Sequence, residues 1–108
     1  MSYSLLAVIA LAGALASPAS FAATDSVPKF DIERGCRLEL SDGSPFGETM
    51  ASCRAAEQRA RDNLAPRWNV FSRADKTLCI NATETDGSPS YVELETCLDM
   101  TPSGQITQ

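Results

Sequence analysis

The sequence predicts a small all-α domain of three helices, stapled by two disulfides and preceded by a cleaved signal peptide. Three observations point there. The first 24 residues carry no charged side chain and hold an apolar run from Leu5 to Ala16 broken only by Gly13. Downstream, apolar side chains return at three- and four-residue steps, the period of a helix with one face on a core. Four cysteines, Cys36, Cys53, Cys79 and Cys97, all follow the apolar run.

That run falls short of the ~20 residues that cross a membrane comfortably, and it fits the hydrophobic stretch of a signal peptide. Ser20 and Ala22 place small side chains at −3 and −1 for cleavage after Ala22, making residues 1–22 the leader. Met1-Ser2-Tyr3-Ser4 has no Lys or Arg, so either the amino group of Met1 supplies the usual positive charge or the start lies upstream. Cleavage leaves 86 residues without a membrane anchor, periplasmic or secreted. A domain of that size buries only about 60 to 65% of its unfolded surface, and an oxidising compartment allows cross-links to make up the deficit. Successive cysteines stand 17, 26 and 18 positions apart, without the close pairs of a zinc site. No metal and no cofactor is expected.

Residues 23–43 mix proline, glycine and charge without a period and read as an extended lead-in, with Phe30 and Ile32 as a short anchor. The helical disulfide domain follows over residues 44–100. Its first helix, 45–70, opens on the Asp42-Gly43 turn, with Ser44 as cap and Pro45 in the first turn, where a missing N–H costs nothing. Met50, Cys53, Ala56, Ala60, Leu64 and Trp68 form its apolar face, and Glu57 can pair with Arg61 at i, i+4. Pro66 should end this helix near Leu64 or kink it. The second helix, 73–83, starts at Ser72 with Asp75 in a capping-box position and presents Leu78, Cys79 and Ala82. The third, 89–100, follows Asp86-Gly87-Ser88-Pro89, with Ser90 and Glu93 as a second capping box and Tyr91, Leu94, Cys97 and Leu98 on one face. Thr101-Pro102 reads as a stop, and 101–108 as a disordered polar tail.

Four cysteines allow three connectivities. Asp-Gly-Ser-Pro occurs at 42–45 and again at 86–89, each time with a cysteine before it and another eight residues after the proline. Three helices running up, down and up also set Cys79 and Cys97 at about one height. Turn-and-cap chemistry draws on few residue types and readily recurs by chance, but a pseudo-repeat would favour sequential pairing, and the helix geometry leans the same way, to Cys36–Cys53 with Cys79–Cys97, leaving the other two pairings open.

The composition excludes several functions. With no histidine there is no Ser-His or Cys-His nucleophile pair and no imidazole base. A net charge of −5 argues against a nucleic-acid partner. Charge is also segregated: residues 23–53 sum to −3, 54–76 to +3, and 77–108, which hold no Lys or Arg, to −5. Either the arginine-rich first helix lies against the acidic last helix and the charges answer one another within the fold, or the surface is bipolar for an exported protein partner that reads Arg54, Arg59 and Arg61. Glu93, Glu95 and Asp99 read as a solvated face, Ser88 and Ser90 as caps without a base to activate them, and Trp68, Phe71 and Tyr91 as core. Asn81-Ala82-Thr83 matches a glycosylation acceptor but falls within a predicted helix. No catalytic residue is assigned. The expected function is a non-enzymatic binding or stress-related module; the alternative is a small enzyme, or enzyme subunit, that works with carboxylates alone.

Glu33-Arg34-Gly35-Cys36, Cys53, Ala60-Arg61, Leu64, Trp68, Cys79 and the block Gly87-x-x-Ser90-Tyr91-Val92-Glu93-Leu94-x-Thr96-Cys97-Leu98 resemble a group of small exported four-cysteine proteins of alphaproteobacteria. The resemblance covers about residues 30 to 100, the last block being its most specific part. It implies export and disulfides and brings no catalytic residue with it. Pro66 departs from the uninterrupted helix that the group leads one to expect.

Overall fold

The computed structural model describes residues 26–44, 46–85 and 87–106; the expected signal peptide, Pro45 and Asp86 lie outside the described residues. Among the described residues all regular structure is helical, with five α-helices where three were expected. They are α1 (Ile32–Leu40), α2 (Met50–Leu64), α3 (Arg73–Glu84), α4 (Tyr91–Met100) and α5 (Pro102–Ile106), with a 3-10 helix, Ala65–Val70, between α2 and α3.

The disulfides join Cys36 to Cys53 and Cys79 to Cys97. Each bridge therefore ties two consecutive helices, α1 to α2 and α3 to α4, and the molecule is two stapled helical hairpins in series. α4 packs on α2, α3 and α5, so the second hairpin closes over the first through one helix.

The lead-in is not extended throughout. Asp31 caps α1 by accepting the Arg34 N–H at 3.0 Å, and Cys36 is the buried residue of this helix. The next helix begins at Met50 rather than at residue 45. Thr49 and Ser52 form a reciprocal capping box there, while Ser44 closes a turn of its own by accepting the Glu48 N–H. Gly43 and Gly47 adopt positive φ within the loop, a conformation that a Cβ disfavours. The regular helix then stops at Leu64, and Pro66 sits in the first turn of the 3-10 segment. That tighter winding still carries Trp68 into the core, where it is 2% exposed.

In α3 the buried stripe is Lys76, Cys79, Ile80 and Thr83; Leu78, expected inside, stands 61% exposed. The Lys76 ammonium lies over the Trp68 ring, 5.1 Å from its centroid, so its stem covers the aromatic face. The central cluster is Leu64, Trp68, Phe71, Cys79, Ile80, Leu94 and Leu98, with Val27, Phe30 and Cys97 packed against it. Tyr91 ties the lead-in to α4. Its hydroxyl donates to the Pro28 carbonyl at 2.7 Å and accepts the Phe30 N–H at 2.8 Å, and its ring stacks on Phe30 at 4.7 Å.

The tail is ordered as far as Ile106. Thr101 caps α5 by accepting the Gly104 N–H at 3.2 Å, with Pro102 in the first turn. A Cβ at Gly104 would come within 1.9 Å of the Leu98 carbonyl oxygen, so only glycine lets α5 fold back this closely on α4. Ser103 also completes the Ser72 capping box. The Ser72 N–H donates to the Ser103 hydroxyl at 3.2 Å, and that hydroxyl donates to Asp75 at 2.6 Å. These bonds from Ser103 hold the Asp75 carboxyl below its ordinary range.

The core is small, and each bridge closes a loop worth ~3 kcal/mol in the chain-entropy model. Cys97→Ser should therefore lower stability by about 2 to 5 kcal/mol. Glu95→Gln, which weakens a partly buried ion pair with Arg67 that keeps its second carboxylate, Asp99, should cost about 1 kcal/mol or less. Thermal melts of the two variants beside the parent check the order.

Candidate functional site

The two sides of the first hairpin and the start of α4 enclose an open cleft of about 520 Å³. Its floor is the Cys36–Cys53 bridge, both halves of which are 1% exposed. α1 contributes Ile32, Leu38 and Glu39, the following loop Glu48, α2 Ala56 and Glu57, and α4 Val92 and Glu93. Four glutamates thus meet over an apolar lining, and no lysine or arginine borders the cleft.

Glu57 holds the cleft together. Cys53, Glu57, Ala60 and Leu64 form the buried stripe of α2, so the stripe that seats the core also carries a carboxylate inward. There it accepts from the Ser90 hydroxyl at 2.5 Å and from the Tyr91 N–H at 2.6 Å. It caps α4 from another helix, where a negative charge meets the positive end of the helix dipole. The Ser90 hydroxyl in turn accepts the Glu93 N–H, and the Ser90 N–H donates to the buried Thr83 hydroxyl at 2.9 Å. The expected Ser90–Glu93 box is therefore only half formed: Thr83 takes the N–H that Glu93 would have bound. Nor does Glu57 pair with Arg61, whose neighbour is Asp62 at 3.6 Å.

Glu39 and Glu48 form the outer pair. One oxygen of each and the Cys53 sulfur lie within 4.8 Å of one another. That sulfur is committed to its disulfide and is not a thiolate, so the group offers a cation two carboxylates, well short of the six to eight oxygens that calcium takes. The Glu39 carboxyl is pushed above its ordinary value, first by burial and then by repulsion from Glu48, Glu57 and Glu93.

The carboxylates singled out in the sequence are divided. Glu93 reaches the cleft, whereas Glu95 and Asp99 grip Arg67 at 3.2 and 2.7 Å, with the guanidinium 5.3 Å from the Phe71 centroid. Arg67, within the expected first helix 45–70 and here in the 3-10 segment, thus answers the acidic last helix. Arg54 instead forks onto Glu33 of α1, with its second bond at 3.1 Å. Ser90 is a cap, Ser88 lines the cleft, and Trp68, Phe71 and Tyr91 are core. Thr83 of the acceptor pattern is buried and bonded to Ser90. Glu39 and Glu48 carry no local signal, since the cleft gathers them from separate segments. Glu57 does carry one: it is the carboxylate on an otherwise apolar stripe.

Glu57→Ala should cost about 2 to 3 kcal/mol, because a buried donor, the Tyr91 N–H, and a half-buried one, the Ser90 hydroxyl, lose a charged acceptor, and Glu57→Gln about 1; urea unfolding checks both. Glu39 behaves oppositely. The unfolded chain releases this proton near 4.5 and the folded chain at higher pH, so the folded state holds more protons in that window and stability falls as pH rises through it. Glu39→Gln should therefore melt above the parent at pH 7, the difference closing below pH 4.5; a uniform difference at every pH would contradict this.

Comparison of the chain with protein-family models, with curated proteins and with solved structures returned no match.

Proposed function

We propose that this chain is a small exported binding module that has no catalysis of its own and receives cationic groups of an exported protein in its acidic cleft. One observation carries the reading: four glutamates meet over an apolar lining with no cation on its border. A binding pocket commonly has this make-up, with apolar walls and a few polar groups that fix orientation. Desolvation in the cleft, and after it repulsion from the neighbouring carboxylates, raises Glu39 and opposes folding, as the strained groups of a binding site commonly do. Two disulfides fit an oxidising compartment, in keeping with the leader-like first 22 residues. The binding face thus moves from the arginines of α2 to the cleft.

A second reading, a small enzyme or enzyme subunit working with carboxylates alone, is favoured by the Glu39–Glu48 pair. One of two adjacent carboxyls held more readily protonated is the arrangement of an acid and a base.

Titration calorimetry with a short, unstructured peptide of lysine and leucine decides between surfaces. Glu39→Gln/Glu48→Gln should weaken its binding about tenfold, while Arg59→Glu leaves it unchanged. Binding that is unaffected by Glu39→Gln/Glu48→Gln would take the cation site away from the cleft. A hydrolytic activity abolished by Glu39→Gln or Glu93→Gln would establish the enzyme instead.

A further inference from the structure

Val92 and Glu93 line a second groove as well as the cleft, so the two run together around the first turn of α4. This groove, about 640 Å³, lies between α3 and α4 over the Cys79–Cys97 bridge. Leu78 and Ala82 on one bank, and Val92, Thr96 and Met100 on the other, recur at four-residue steps and so form one face of each helix. Leu78 is 61% exposed and Met100 74%, an apolar concentration of the kind that marks an interaction site. No lysine or arginine borders it, and residues 77–108 contain none.

We propose that groove and cleft together seat one basic amphipathic helix of an exported partner protein. Its apolar stripe lies between α3 and α4, and its lysines or arginines reach toward Glu93, Glu39 and Glu48. This occupant presupposes that the cleft binds cations, as proposed above. Charge selects it. A second copy related by a two-fold axis would set the same acidic, cation-free surface against itself, and an anionic lipid surface would meet the same repulsion. Shape selects it too, because the trough between two helices takes side chains at i, i+3 and i+4 of a third. From Val92 to Met100 the bank is ~12 Å long, so a helix of about three turns covers it.

The test uses the oxidised protein and two synthetic peptides of one lysine and leucine composition. In one the leucines follow a helical period; in the other they are scrambled. Binding is read by titration calorimetry and helix formation by circular dichroism. The periodic peptide should bind at least tenfold more tightly than the scrambled one and gain helix on binding. Leu78→Ser/Met100→Ser, both exposed positions, should erase that preference and leave the scrambled peptide's affinity unchanged, while Glu39→Gln/Glu48→Gln should weaken both peptides alike. Equal affinity for the two peptides, or a preference that survives Leu78→Ser/Met100→Ser, would overturn the helix proposal and leave the cleft reading standing. Absence of binding by either peptide would overturn both.

Discussion

A single buried carboxylate decides how the two halves of this molecule meet. Glu57, 7% exposed on α2, is the side chain through which the first hairpin caps the first helix of contact in the second, taking the Ser90 hydroxyl and the Tyr91 N–H together. Burying a charge is costly unless it is bonded and compensated, and here two donors and a helix N-terminus do both. With the start of α4 held in this way, Tyr91 reaches back to residues 28–30, Leu94 and Leu98 enter the core, and Cys97 meets Cys79. Glu57 also lines the cleft, so the scaffold and the proposed site share an atom group.

The remaining stability is spread over elements that are weak alone. α1 has nine residues and α5 five, lengths at which an isolated helix does not persist in water. α1 is held by its bridge to α2, and α5 by the close seat of Gly104 on Leu98 and the bonds of Ser103 to Asp75. Covalent and polar anchors thus stand in for apolar area that a chain of this length does not possess. That economy leaves Leu78, Val92 and Met100 outside, beside a cleft rich in carboxylates. The proposed binding surface is therefore built from what the core did not take up.

Much of the fold was legible in local chemistry. The stripe Cys53, Ala60 and Leu64, the caps Ser72 and Ser90, and the stop at Leu64 before Pro66 follow from period, hydroxyl and missing N–H, and all stand where those signals put them. Two helices escaped notice although their signals were present. Asp31 before an Ile32 and Cys36 step is a capped start, and Thr101-Pro102 is a cap with proline in the first turn, the same chemistry that can be mistaken for a stop. In α3 the stripe fell one register away from Leu78, because Lys76 lies over Trp68 and turns Ile80, not Leu78, inward.

By itself, then, the sequence determined an all-helical chain with four cysteines in the part that follows the leader-like segment, an excess of acid over base and no histidine, because composition and period are local quantities. Only the tertiary structure decided that Glu57 caps α4 rather than pairing with Arg61, that Arg67 rather than the arginines of α2 answers Glu95 and Asp99, and that Glu39, Glu48 and Glu93 share one cleft. The glutamates of the cleft are separated by up to 54 positions along the chain, and no spacing rule joins them. Their proximity is a consequence of where two disulfides and one buried carboxylate place three helices.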